Sequence, residues 1–148
     1  SPGTGVFLLR AFKNILGLLE TLEPDSDSEE IKFQVCKNLF GSEINQNARK
    51  LCILKLFSQY NNKNNSNDSR LLSILNSNIT LEDSLVRKKD FKFDLIIGNP
   101  PYGNILDKNQ KARLKSENIF YNDVYCAFLL KSLNWTKGII GYLVPKSF

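Results

Sequence analysis

Phe93-Asp94-Leu95-Ile96-Ile97-Gly98 is an apolar run of strand length that stops abruptly at Asn99-Pro100-Pro101-Tyr102. Such a continuous run is what a parallel strand covered on both faces requires. The two prolines then fix φ and withhold two N–H donors, so neither a strand ladder nor a helix continues through them. A buried parallel strand needs a parallel neighbour, and the connection between the two is normally a helix.

The remainder of the chain supplies that alternation. Val6 to Leu19 follows a glycine turn and sets Leu9, Phe12, Leu16 and Leu19 on one helical face. Glu23 to Glu30 is an acidic turn, either a solvated loop or, with Asp27 and Glu30 as a capping box, the start of a short helix carrying Ile31, Val35 and Cys36. Leu39 to Ile44 reads as a buried strand ending in an acid, followed by a helix with Ala48, Leu51, Cys52 and Leu56 on one face. Residues 60–69 are low in complexity and nearly devoid of apolar side chains, which predicts a disordered surface insertion. Leu71 to Leu75 then predicts a short helix, and Asn78-Ile79-Thr80 a strand running into Glu82-Asp83-Ser84. Gly103 to Asn118 is polar and basic and reads as a loop. Tyr125, Phe128, Leu129 and Leu133 mark a further helix, and Gly138 to Val144 a last strand. The expectation is an α/β fold with a parallel sheet, formed by one domain over residues 1–148.

Composition narrows the chemistry. The chain has 148 residues, 42% of them apolar, and a formal net charge of +5. Acidic residues cluster early (Glu20 to Glu30), whereas Arg87, Lys88, Lys89, Lys92, Lys108, Lys111, Arg113 and Lys115 gather around the middle, making that half the candidate nucleic-acid face. The absence of His excludes imidazole acid–base chemistry and His metal ligation within these residues, and no metal site is expected. Cys36, Cys52 and Cys126 show neither a zinc spacing nor a disulfide framework and are expected to be reduced, buried thiols. No apolar run approaches membrane-spanning length and no secretory signal is visible, so the expected location is cytoplasmic. The chain contains no Met and opens on Ser1-Pro2-Gly3, which suggests a segment of something longer.

Ligands of parallel α/β sheets bind at the carboxyl ends of the strands, and the chemistry-bearing residues fall there. Gly3-Thr4-Gly5 opens the first helix, where glycines permit close backbone approach and unpaired N–H groups attract an anion. Glu43, beside Ile44, can accept from both hydroxyls of a ribose or cap the following helix. Asp83 can accept from an adenine amino group, and Ser84 can cap a helix. In Asn99-Pro100-Pro101-Tyr102 the Asn99 side-chain oxygen and the Pro100 carbonyl can accept both protons of an exocyclic amine, while Tyr102 offers a face for a flipped-out base.

These residues resemble the amino-methylating DNA methyltransferases, specifically the adenine-N6 enzymes of type I and type IIG restriction-modification systems. Ser1-Pro2-Gly3-Thr4-Gly5 resembles the second half of the family's Asp-Pro-x-Cys-Gly-Ser/Thr-Gly cofactor motif, with Pro2 where Cys is usual. Phe40 to Asn45 resembles the ribose-binding motif, and Asn78 to Leu85 the adenine-contact motif with Asp83 as its acid. Asp94 to Tyr102 matches the catalytic motif, and Tyr125 to Phe128 with Gly138 to Phe148 resembles the lining of the target-base pocket.

The resemblance implies a Rossmann-like methyltransferase sheet truncated at both ends, its first central strand missing. It also implies S-adenosyl-L-methionine as cofactor, held by Gly3, Thr4, Gly5, Glu43, Ile44, Asp83 and Ser84, and catalysis at Asn99, Pro100, Pro101 and Tyr102. The expected partner is double-stranded DNA with a flipped adenine, contacted through Lys108, Lys111, Arg113 and Lys115. A nuclease and a target-recognition domain in the full-length chain or complex remain open, as does the activity of this stretch alone. With the central strand missing, either a gap or a direct pairing of its neighbours is expected. A protein-glutamine N5 methyltransferase, an RNA adenine-N6 methyltransferase and a non-catalytic nucleic-acid-binding module are the alternatives.

Overall fold

The structure, a computed structural model, describes residues 5–60, 68–86 and 92–146. Gly3, Thr4, Arg87 to Lys89, Phe148 and positions 61–67 of the expected insertion lie outside the described residues. The chain divides into two compact units, Pro2–Glu82 and Asp83–Phe148.

The first unit is mainly helical: α1 (Val6–Leu22), α2 (Ser28–Lys37), α3 (Gln46–Tyr60) and α4 (Asp68–Asn78) pack on one another, and α3 and α4 also pack on a parallel pair of short strands, β1 (Gly41–Glu43) and β2 (Ile79–Leu81). Tyr60 thus ends one helix and Asp68 and Ser69 begin the next, so helix takes both margins of the expected 60–69 insertion. α1 turns Phe12 and Leu8 inwards, with Leu9, Leu16 and Leu19 packed partly against the same core, as the spacing predicts. α3 is rotated from expectation. Cys52, Ile53, Leu56 and Tyr60 are buried while Leu51 is 41% exposed, because an i, i+4, i+8 row from Cys52 to Tyr60 faces the other helices. Asp27 caps α2 by accepting from Glu29 N, but Glu30 bonds Gln34 rather than closing a capping box. Arg49 ties α3 to the carbonyls of Ile79 and Asn76, closing the helices over the strand pair.

The second unit contains β3 (Phe93–Gly98), α5 (Lys108–Ser116), α6 (Val124–Leu133) and β4 (Thr136–Tyr142). β3 and β4 run parallel with one irregularity, where Phe93 pairs Thr136 but Leu95 pairs Ile139. The extra residue on β4 brings Gly138 so close that a Cβ there would stand 2.1 Å from the Asp94 carbonyl oxygen, so only glycine fits. β3 has the predicted bounds but not the predicted cover: Leu95 is 48% exposed.

The polar stretch after the double proline corrects the sequence reading. Lys108–Ser116 is a helix, opened by a reciprocal capping box in which Asp107 accepts from Gln110 N and Gln110 Oε1 accepts from Asp107 N. A single apolar side chain, the fully buried Leu114, anchors it. In α6 the buried set is Val124, Ala127, Phe128, Lys131 and Ser132, whereas Leu129 and Leu133 are exposed. Lys131 is buried because its ammonium pairs with Glu117 at 2.8 Å, donates to the Leu85 carbonyl and lies 5.7 Å from the Trp135 ring centre.

The strands therefore form two separate two-stranded parallel sheets, an α/β arrangement without a full Rossmann-like sheet among the described residues. β1 and β3 belong to different sheets, so the direct pairing expected between them is not formed among the described residues. No helix among the described residues is long and apolar enough to cross a membrane.

Candidate active site

In the first unit, Gly5 and Glu43 meet around one cysteine. Gly5 is the N-cap of α1 with φ of 87°, and a Cβ on it would lie 2.9 Å from Cys52 Sγ and 3.1 Å from Cys52 Cα. Both the left-handed backbone and the close approach exclude other residues. No described side chain caps the first turn of α1, and no acid occupies it, which leaves its N–H groups an anion-attracting end.

Glu43 terminates β1 at 3% exposure and accepts from Asn45 N at 3.0 Å. Its charge reaches the same cysteine: burial first, then the Glu43 carboxylate, push the Cys52 thiol up to about 11, so the sulfur stays neutral. Cys36 is pushed up to about 11 by burial alone. Both act as small packing groups. Ile44, next to Glu43, presents an apolar side chain that is 73% exposed.

Glu82 is spent on the sheet, accepting from Ser42 Oγ at 2.9 Å and from Thr80 Oγ1. Asp83 follows it and opens the second unit. It accepts from Leu85 N at 2.8 Å and from the Gln110 side-chain amide, so it caps the turn holding Ser84 and fastens that turn to α5.

The second unit carries the double-proline turn at the carboxyl end of β3. Asn99 is exposed, Pro100 buried and Tyr102 42% exposed. Tyr102 folds back so that its hydroxyl donates to Asn99 Oδ1 at 2.7 Å, with the Leu143 carbonyl as a second acceptor at 3.2 Å. Leu143 N in turn donates to Gly98 O at 3.0 Å, which ties the chain after β4 to the last residue of β3. The ring of Tyr125 meets Tyr102 edge-on, 6.4 Å between centres.

Below the turn, Asp123 accepts from Gly103 N at 2.9 Å through both carboxylate oxygens and caps α6 through Tyr125 N at 3.3 Å. The Val124 N–H returns to Gly103 O at 3.0 Å. One carboxylate thus fixes both the exit of the turn and the start of the helix behind it. Sequence reasoning missed Asp123, although an Asp immediately before an apolar helical run is a capping signal.

Of the four basic residues expected to meet DNA, Lys108, Lys111 and Lys115 project from α5 into solvent. Arg113 is half-buried, its Nε 2.8 Å from Glu117 Oε1 but off the hydrogen-bond direction, so the contact is ionic only. No cluster of His, Cys, Asp or Glu suited to a metal ion occurs among the described residues.

The geometry thus provides a buried carboxylate beside an open helix end in one unit, and a locked amide acceptor in an aromatic setting in the other. The chain is 27% identical over 193 residues to the type II restriction enzyme and methyltransferase RM.Eco57I of Escherichia coli, an alignment covering 99% of this chain and 19% of that protein. It is 39% identical over 62 residues to RM.MjaORFECS2P of Methanocaldococcus jannaschii, covering 40% of this chain and 5% of that one. The chain spans about a fifth or less of the length of these relatives. Residues 37–148, which include β1 with Glu43 and the whole of the double-proline turn, match the Eco57I restriction-modification methylase family, and the chain belongs to that family.

Proposed function

We infer that this chain is part of an S-adenosylmethionine-dependent DNA methyltransferase that methylates N6 of adenine as the modification activity of a restriction system. The observation that carries the reading is the Asn99 side-chain oxygen, exposed at a strand end and held at 2.7 Å by the hydroxyl of the aromatic residue three positions on. Its relatives' names pair a methyltransferase with a restriction enzyme, which supports double-stranded DNA as substrate and a nuclease within the same full-length protein or complex.

The chain's residues suit the cofactor. The carboxylate of Glu43 is a hydrogen-bond acceptor for ribose hydroxyls, the open first turn of α1 behind Gly5 suits the methionine carboxylate, and Ile44 offers an apolar surface. When bound, S-adenosylmethionine supplies an electrophilic methyl group on a sulfonium centre. Asp83 and Ser84 are the further candidates for adenine contact.

The residues of the turn prepare the nucleophile. The adenine amino group is weakly nucleophilic because its lone pair is delocalised into the ring. Asn99 Oδ1 and the Pro100 carbonyl accept its two protons, which favours a tetrahedral nitrogen and returns the lone pair to it. Tyr102 supplies a stacking face for a base that has left the duplex. Transfer needs no prior deprotonation and so asks no imidazole of these residues, which contain no His. The surplus proton on the methylated nitrogen leaves to solvent.

Transfer of labelled methyl groups by the full-length protein, offered DNA, RNA and a protein amide in parallel, tests the reading. Label recovered as N6-methyladenine in DNA is the expected result. Label on a glutamine side chain or on RNA would replace it with one of the alternatives.

A further inference from the structure

A groove of about 620 Å³ opens along α5, within the unit Asp83–Phe148. Lys111 and Lys115 of α5 line it together with Phe120 and Tyr121 from the segment between α5 and α6, while Asn104, two residues past Tyr102, and Cys126 also border it. No carboxylate lines it among the described residues.

Lys111 and Lys115 are four residues apart on one helix, so their ammonium groups leave the same face about 6 Å apart along the axis. That spacing is comparable with the step between successive phosphates of a nucleic-acid strand. Both side chains are exposed, and neither forms an ion pair among the described residues, whereas the charge of Arg113 is directed at Glu117. Phe120 is 72% exposed, and its outward position is enforced by its neighbour. Ile119 is buried and donates its N–H to Leu114 O at 2.9 Å, so the next side chain is turned away from the core.

Paired cations beside a presented aromatic ring, with no opposing acid, are the chemistry of single-strand nucleic-acid contact, where phosphates and a base face are met together. An acidic peptide would use the lysines but not the ring. We propose that this groove binds the DNA strand next to the flipped adenine, its phosphates on Lys111 and Lys115 and a flanking base on Phe120. The proposal rests on DNA as the substrate, and it divides the basic helix: Lys111 and Lys115 carry the contact, Lys108 and Arg113 do not.

The test uses the full-length protein that contains this chain and a short fluorescent DNA of mixed sequence, single-stranded and duplex. Lys111→Gln with Lys115→Gln is expected to lower the log–log salt slope of binding by about 2. Phe120→Ala is expected to weaken binding about tenfold with the slope unchanged, and Phe120→Trp to retain affinity and lose indole fluorescence when DNA is added. An unchanged slope in the double variant, an equal per-charge effect from Lys108→Gln, or full affinity in Phe120→Ala overturns the groove. Methyl transfer is measured in parallel. DNA methylation with unaltered binding by the groove variants removes the groove alone. Salt-dependent DNA binding through the groove, with the methyl group on a protein amide, removes the functional reading alone.

Discussion

The two strand pairs end in opposite kinds of polar group. β1 runs into Glu43, which is 3% exposed, and β3 runs into Asn99, which is open to solvent. The pairs differ in cover too: β2 buries Ile79 completely, while Leu95 of β3 and Ile139 of β4 are 48% and 69% exposed. In the proposed function the Glu43 carboxylate holds neutral hydroxyls and gains from burial, because each hydrogen bond is stronger away from water. In the same proposal the Asn99 amide receives a base arriving from a duplex and has to stay reachable, and here the turn is held by the Tyr102 hydroxyl and the Asp123 clamp instead. The first site is preorganised by packing and the second by hydrogen bonds.

That contrast can be broken first at Gly5. Gly5→Ala forces a side chain onto a left-handed residue facing Cys52 Sγ at 2.9 Å, and should cost about 3 kcal/mol of stability in the full-length protein. A melting temperature equal to wild type would show that packing does not fix this end of α1.

Lys131→Met strikes the other unit, leaving Glu117 Oε2 and the Leu85 carbonyl without the ammonium, while Glu117 Oε1 keeps Arg113. A loss of about 2 kcal/mol is expected, less than for a fully dry pair because Glu117 keeps 23% exposure. Hydrogen exchange should accelerate in α5 and α6; acceleration confined to α1–α4 would contradict the assignment.

Tyr102→Phe keeps the stacking face and deletes only the hydroxyl that holds Asn99. A fall in kcat of about five- to tenfold is expected, with KM and cofactor affinity nearly unchanged. An unaltered kcat would mean that Asn99 needs no such support. The smallest effect belongs to Lys137→Ala, since its partner Asp94 is 87% exposed, and the melt should be indistinguishable from wild type.

What the sequence disclosed follows the strength of each physical signal. β3 and the turn after it were legible to the residue, because an apolar run ending in two prolines allows few backbones. Glu43 and Asp83 were legible as acids at strand ends, but only coordinates show the first buried beside Cys52 and the second bonded to Gln110. α5 was hidden because nine residues with a single buried anchor, Leu114, carry almost no hydrophobic period, and its start is written in the Asp107–Gln110 pair instead. α6 was legible as a helix, but not its buried face, because Lys131 occupies a core position that periodicity assigns to apolar residues. The Tyr102 hydroxyl bond to Asn99 had no sequence signature, since it depends on the turn doubling back towards Leu143.

The central claim is that Asn99 acts on the nucleophile and not on the cofactor, and Asn99→Ala in the full-length protein measures it most directly. Cofactor affinity by calorimetry and N6-methyladenine formed in DNA are read on the same preparation. Unchanged cofactor affinity is expected, with methylation reduced at least about a thousandfold, because the lost acceptor matters mainly as the amine becomes tetrahedral. Substantial N6-methyladenine from Asn99→Ala, or a parallel loss of cofactor binding, would contradict it.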